Sequence, residues 1–340
     1  MDKFTYICLL SLVMCSCTKK LEEESVVTEQ PQMPDFVTTN PIVHDPVMAK
    51  ENGVYYLFST GRGINMMMST DLDSWRMMPP CLEALPDWLV QRFPEASMHL
   101  WAPDIFYHQG LWHLFYSSSA FAKNTSIIAH LTSPTLVNPA WKDCGMVVQS
   151  VPERDMWNAI DPNIVKDADG KMWMVFGSFW DGIMLVRMSD DLSGIASPEE
   201  WHRLVHRYRT ETLPVTDPGD GAVEAPFIFQ RNGWYYLFVS FDYCCRGKES
   251  TYKVAVGRSR TITGPYLDKD GVAMTQGGGS VIAQGDGHKW QAMGHCAVYS
   301  FDGRDMFICH AYDVEKGAPH LLMSPVTWQS DWPVIQEANN

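Results

Sequence analysis

Apolar and polar positions alternate in short blocks from Val54 onward. Aromatic-rich runs of strand length stand at Val54-Tyr55-Tyr56-Leu57-Phe58, Leu111-Trp112-His113-Leu114-Phe115 and Lys171-Met172-Trp173-Met174-Val175-Phe176. Two more follow at Trp234-Tyr235-Tyr236-Leu237-Phe238-Val239-Ser240 and Arg304-Asp305-Met306-Phe307-Ile308. Turn pairs such as Asn52-Gly53, Asp169-Gly170, Asn232-Gly233 and Asp302-Gly303 stand before them. Aromatic and β-branched residues suit a pleated surface, and Asn-Gly or Asp-Gly pairs favour tight hairpins. No long 3.6-residue periodicity appears after the first twenty residues, so the pattern predicts antiparallel hairpins throughout.

A second segment precedes each aromatic run. The copies are His44-Asp45-Pro46-Val47, Ala102-Pro103-Asp104-Ile105, Ile160-Asp161-Pro162-Asn163, Val223-Glu224-Ala225-Pro226 and Gly294-His295-Cys296-Ala297. They recur at roughly 60 to 70 residues, enough for one four-stranded blade with long loops. Five such units predict an all-β, five-bladed β-propeller in a single domain over residues 35–340. In a propeller the innermost strands line one funnel, so Asp45, Asp161 and Glu224, at corresponding strand starts, are expected to meet there. Three carboxylates in one cavity are costly unless they act. Glu224 also has apolar neighbours on both sides, which raises a carboxyl pKa into the range of a proton donor. Standing alone, such a Glu is as well explained as a solvated strand end.

Composition narrows the ligand. The formal net charge of −14 excludes a nucleic-acid partner, which needs clustered Lys and Arg. A 12% aromatic content suits the flat apolar faces of sugars, although most rings in a β protein are core. Residues 1–17 read as a lipoprotein-type signal peptide, with Ser16-Cys17 at the acylation point; a plain cleaved leader is the alternative. Residues 18–34, rich in Lys, Glu, Gln and Pro, read as a flexible tether. The expected location is outside the cytoplasm, lipid-anchored at the cell envelope, periplasmic or surface-exposed. Six cysteines lie beyond the leader without metal-site spacing, and Cys244-Cys245 leaves open a vicinal disulfide or two thiols.

The ordered series His44-Asp45-Pro46, Trp101-Ala102-Pro103-Asp104, Asn158-Ala159-Ile160-Asp161-Pro162, Val223-Glu224-Ala225-Pro226 and Gly294-His295 resembles glycoside hydrolase family 43 over about residues 40–333. Phe241-Asp242-Tyr243-Cys244-Cys245-Arg246-Gly247, followed by Ser250-Thr251-Tyr252-Lys253, is similar to its endo-α-1,5-L-arabinanases. The resemblance implies an inverting glycosidase acting on arabinan or arabino-oligosaccharides, with Asp45 as general base, Glu224 as general acid and Asp161 as an ionised third acid that keeps Glu224 protonated. Such enzymes need one ionised and one protonated carboxyl, with room for a water between base and sugar.

The same resemblance implies a calcium ion near His295, held mostly through water, with His310 as a further contributor. It also points to Asn158, Ser178, Phe179 and Trp180 as sugar contacts, and to Trp101 and Phe121 as stacking platforms. Arg246 is read either as a sugar contact or as a loop anchor. Pro79 to Met98 is read as an insertion on the groove rim, able to close one end. A monomer is expected. Exo-acting arabinanases, α-L-arabinofuranosidases and β-xylosidases of the same family are the alternatives, and a propeller that binds glycans without cutting them is a further one.

Overall fold

The hairpin turns set the blades. At Asn52-Gly53, Gln109-Gly110, Asn232-Gly233 and Asp302-Gly303 both residues have positive φ, the conformation of a two-residue turn whose twist matches its strands. Gln109 is an unusual residue there, which is why that turn carries no signal in the sequence. Asp169-Gly170 differs: its loop is held by the Asp167 carboxylate, which accepts the Asp169 and Lys171 amides.

The computed structural model describes residues 36–336; the expected leader and tether lie outside them. Five antiparallel sheets follow one another along the chain, and each is a blade. Their first, innermost strands are Val47–Glu51, His99–His108, Asn163–Lys166, Val223–Arg231 and Trp290–Phe301, and the aromatic runs form the second strands. Blade cores lie between neighbouring sheets, where Trp75, Phe58, Phe176, Phe238 and Phe307 are fully buried. The ring closes where residues 41–43 join the last blade: Val43 donates to the Pro319 carbonyl and Leu321 to that of Pro41.

One position in each blade carries the geometry of the centre. Asp45, Ala102, Asp161, Ala225 and His295 all have φ between 40° and 59°, a strained region for residues other than glycine. Each is fixed by its own backbone N–H, which donates to a side chain of the preceding blade. The acceptors are His310 Nδ1 for Asp45, Thr60 Oγ1 for Ala102, Ser117 Oγ for Asp161, Asp161 Oδ2 for Ala225 and Ser240 Oγ for His295. The five latches are 2.8–3.2 Å long and run once around the ring. Deeper in the channel a second tier joins blades two, three and four. Asp104 Oδ2 accepts the Ile164 amide at 2.7 Å, and Asn163 Oδ1 accepts the Ile228 amide at 2.9 Å. Burial there pushes the Asp104 carboxyl up to about 6.

One expectation needs correction, and a second gains detail. The strained position of the fourth blade is Ala225, so Glu224 stands one residue earlier than the place Asp45 and Asp161 share. The segment 79–98 contains the helix Asp87–Arg92, which packs onto the strand Lys142–Ser150, while Glu95 of the same segment pairs at 3.4 Å with Lys123 on the cavity rim. Trp88 Nε1 donates to Asp143 at 2.6 Å, Arg92 Nε to Gln149 at 2.8 Å, and Leu89 and Phe93 are buried.

Candidate active site

The latches hold Asp45, Asp161 and His295 at the mouth of the channel, and the strand Val223–Arg231 brings Glu224 beside them. The cavity they share is about 670 Å³, within the usual range for a small-molecule site. Trp101, Phe121, Asn158, Ser178, Phe179 and Trp180 line it as well. The three acids and these six residues, with His295 and Arg246, thus face one space, whereas His310 does not line it.

Asp45 is held as a carboxylate. Burial alone would raise its pKa, but His44 and His295 overcome that and hold it well below the ordinary range. His44 Nδ1 lies 2.9 Å and His295 Nδ1 3.0 Å from Oδ1, while Thr60 Oγ1 donates to Oδ2 at 2.5 Å. The same arrangement lifts His295 to about 9: burial pulls it down, and the negative field of Asp45, Asp161 and Glu224 prevails.

The other two acids are poised oppositely. Burial drives both Asp161 and Glu224 upward, Asp161 the further of the two; Glu224 and Asp45 add to the rise at Asp161, and Asp45 adds to the rise at Glu224. Asp161 Oδ2 accepts the Ala225 amide, whereas Glu224 accepts two hydroxyls, Ser178 Oγ on Oε2 at 2.7 Å and Tyr252 OH on Oε1 at 2.8 Å. Burial thus opposes the expected ionisation of Asp161 and favours the expected protonated form of Glu224.

The walls differ in what they offer a ligand. Phe121 is 76% exposed and free to stack, whereas Trp180 is 2% exposed and spends its indole N–H on the Val215 carbonyl at 2.9 Å. Ser178 is committed to Glu224, and Asn158 accepts Ser126 Oγ at 2.6 Å. Cys244 and Cys245 form a disulfide, with Cys245 Sγ 3.8 Å from His44 Nε2. Arg246 lies 4.0 Å from the Tyr243 ring centroid, which anchors its loop.

His44, Asp45 and His310 bring ligand atoms within 4.8 Å of one another, but His310 Nδ1 already accepts the Asp45 amide and His44 Nε2 pairs with Tyr312 OH at 2.7 Å. His295 offers one nitrogen, and calcium prefers oxygen. The donors fit such an ion only through water, inside the field of three acids.

Thr60 and Ser117 had no signal in the sequence. Ser240 closes one of the aromatic runs and Tyr252 stands in the Ser250-Thr251-Tyr252-Lys253 motif, but neither carried a role there, and His310 stood only as a calcium contributor.

A five-bladed ring with three buried acids and aromatic walls around one mouth defines a glycoside hydrolase. The chain belongs to Glycosyl hydrolases family 43, whose model matches residues 38–333. It is 45% identical over 302 residues to an extracellular exo-α-(1→5)-L-arabinofuranosidase of Cellvibrio japonicus, covering 87% of this chain and 86% of that protein. It is 38% identical over 300 residues to an extracellular endo-α-(1→5)-L-arabinanase of Bacillus subtilis, with coverages of 87% and 88%. The structure of a Cellvibrio cellulosa α-L-arabinanase complexed with arabinohexaose superposes with a TM-score of 0.85 at 44% identity, covering 88% of this chain and 96% of that one.

Proposed function

We propose that this protein hydrolyses α-1,5-linked L-arabinan outside the cytoplasm, with inversion at the anomeric carbon. Asp45 is the general base: kept ionised by two imidazoles and Thr60, it takes a proton from the attacking water. Glu224 is the general acid, giving its proton to the leaving oxygen as the glycosidic bond breaks. Asp161 anchors the peptide that follows Glu224 and opposes its ionisation. Trp101, Phe121, Asn158 and Phe179 contact the sugars, and Ser178 acts through Glu224. The observation that carries this reading is the pairing of one carboxyl held far down with two pushed up in one cavity.

A calcium ion near His295, met through water, would strengthen the positive side of the cavity; no step depends on it. The relatives' extracellular names support export, and the lipid anchor at Cys17 rests on the Ser16-Cys17 motif. We read the cut as internal, because the helix Asp87–Arg92 of the segment able to close one end packs onto the strand Lys142–Ser150. Release from a chain end is the second reading, favoured by the 45% identity to an exo-acting relative. Product analysis on linear arabinan decides: a spread of oligomers means internal cleavage, a single small product means exo action, and no product restores the glycan binder.

A further inference from the structure

In the fifth blade the place equivalent to Glu224 is occupied by Gly294, the residue just before the strained His295. That place is His44 in the first blade, Trp101 in the second and Ile160 in the third, and all three line the cavity. Gly294 sends nothing there. The space is filled instead by the ring of Tyr252, which comes from the fourth blade, and a Cβ built on Gly294 would fall inside that ring. The ring is 1% exposed and lies 5.7 Å from His310. Its backbone is tied to the same strand, since the Met293 amide donates to the Tyr252 carbonyl at 3.1 Å. Held on both sides, the hydroxyl reaches Glu224 Oε1 at 2.8 Å.

We propose that Tyr252 is a positioning residue for Glu224, and that Gly294 is the slot that aims it. The inference rests on the reading of Glu224 as the general acid. While Glu224 is protonated, the bond from Tyr252 is an ordinary neutral one. As the proton moves to the glycosidic oxygen and the C–O pair leaves with that oxygen, negative charge appears on Oε1 and Oε2. Both oxygens then accept charge-assisted bonds, roughly twice as strong as neutral ones, from Tyr252 and Ser178. An interaction that strengthens only as the acid ionises lowers the barrier rather than tightening substrate binding. Burial and the neighbouring acids push the Tyr252 phenol well above its ordinary pKa, so it donates without giving up its proton.

The test compares Tyr252→Phe and Glu224→Gln on two substrates, linear α-1,5-arabino-oligosaccharide and a 2,4-dinitrophenyl arabinoside whose leaving group needs no proton. For Tyr252→Phe the expected result is a fall in kcat of roughly 10- to 100-fold on the oligosaccharide. KM should hold within about twofold and dinitrophenolate release within about threefold, the spread expected when only transition-state binding changes. Gly294→Ala should reproduce that split by displacing the ring. An equal loss on both substrates, or no loss on either, overturns the role of Tyr252 while Glu224→Gln still shows the split. If Glu224→Gln shows no split, the acid is misassigned and the inference falls with it.

Discussion

Asp161 Oδ2 accepts the backbone N–H of Ala225, the residue directly after Glu224, at 3.1 Å. One acid therefore sets the position of the other through the chain as well as through its charge. The same bond is one of the five latches, so the site and the ring share a part.

Asp161→Asn keeps an acceptor for the Ala225 amide and removes the charge proposed to hold a proton on Glu224. Glu224 should then ionise at lower pH. The alkaline limb of kcat/KM should move to lower pH, and activity at neutral pH should drop roughly 100-fold or more. An unmoved alkaline limb would contradict the coupling.

Thr60 joins two things at once, donating to Asp45 Oδ2 and accepting the Ala102 amide. Thr60→Val leaves a buried amide unpaired, at a cost of about 1–3 kcal/mol in unfolding free energy. It also removes one donor from the Asp45 carboxylate. Because the folded pKa of Asp45 is depressed, its contribution to stability is present above the unfolded value and lost as pH falls through the folded one. The variant should lose stability at a higher pH than the native protein does, and acid denaturation monitored by circular dichroism measures this.

Phe121 is exposed and packs into no core cluster, so Phe121→Ala should leave the melting temperature unchanged. KM for arabinan should rise roughly three- to tenfold if the ring stacks on a sugar, as expected for one aromatic contact. An unchanged KM removes Phe121 from the binding surface.

Thiol chemistry reports on the cavity wall. Without reductant Cys244 and Cys245 should not be alkylated. Native protein should react at Cys144, the exposed thiol, but not at Cys81, Cys296 or Cys309, which are buried and pushed up by burial. Mass spectrometry after iodoacetamide treatment checks each position.

Chelation tests the proposed calcium. Treatment with EGTA should lower the melting temperature or kcat, and added calcium should restore both. Insensitivity to chelator would leave His295 solely as the partner of Asp45, a role its 3.0 Å contact already supports.

Much of this was legible in the chain because hairpins announce themselves locally. Asn52-Gly53, Asn232-Gly233 and Asp302-Gly303 turn as their residue types require, and the aromatic runs become the second strands. The three acids were found because each sits in a repeated motif with a proline one or two residues on. The offset of Glu224 was not legible, since Val223-Glu224-Ala225-Pro226 aligns equally well by its acid or by its proline. The latches were hidden for a different reason. Thr60, Ser117 and Ser240 are ordinary strand-end hydroxyls until the ring brings the next blade's amide to them. The burial of Trp180 was not legible either, because its indole is satisfied by the loop carbonyl of Val215, which only the folded chain supplies.

The central claim is that Glu224 gives the proton that releases the leaving sugar. Its most direct test is the rate of Glu224→Gln on linear arabinan, measured beside its melting temperature. The account predicts a rate lower by roughly 100- to 10,000-fold with unchanged melting, the usual share of a general acid. Native-like turnover by that variant would contradict it.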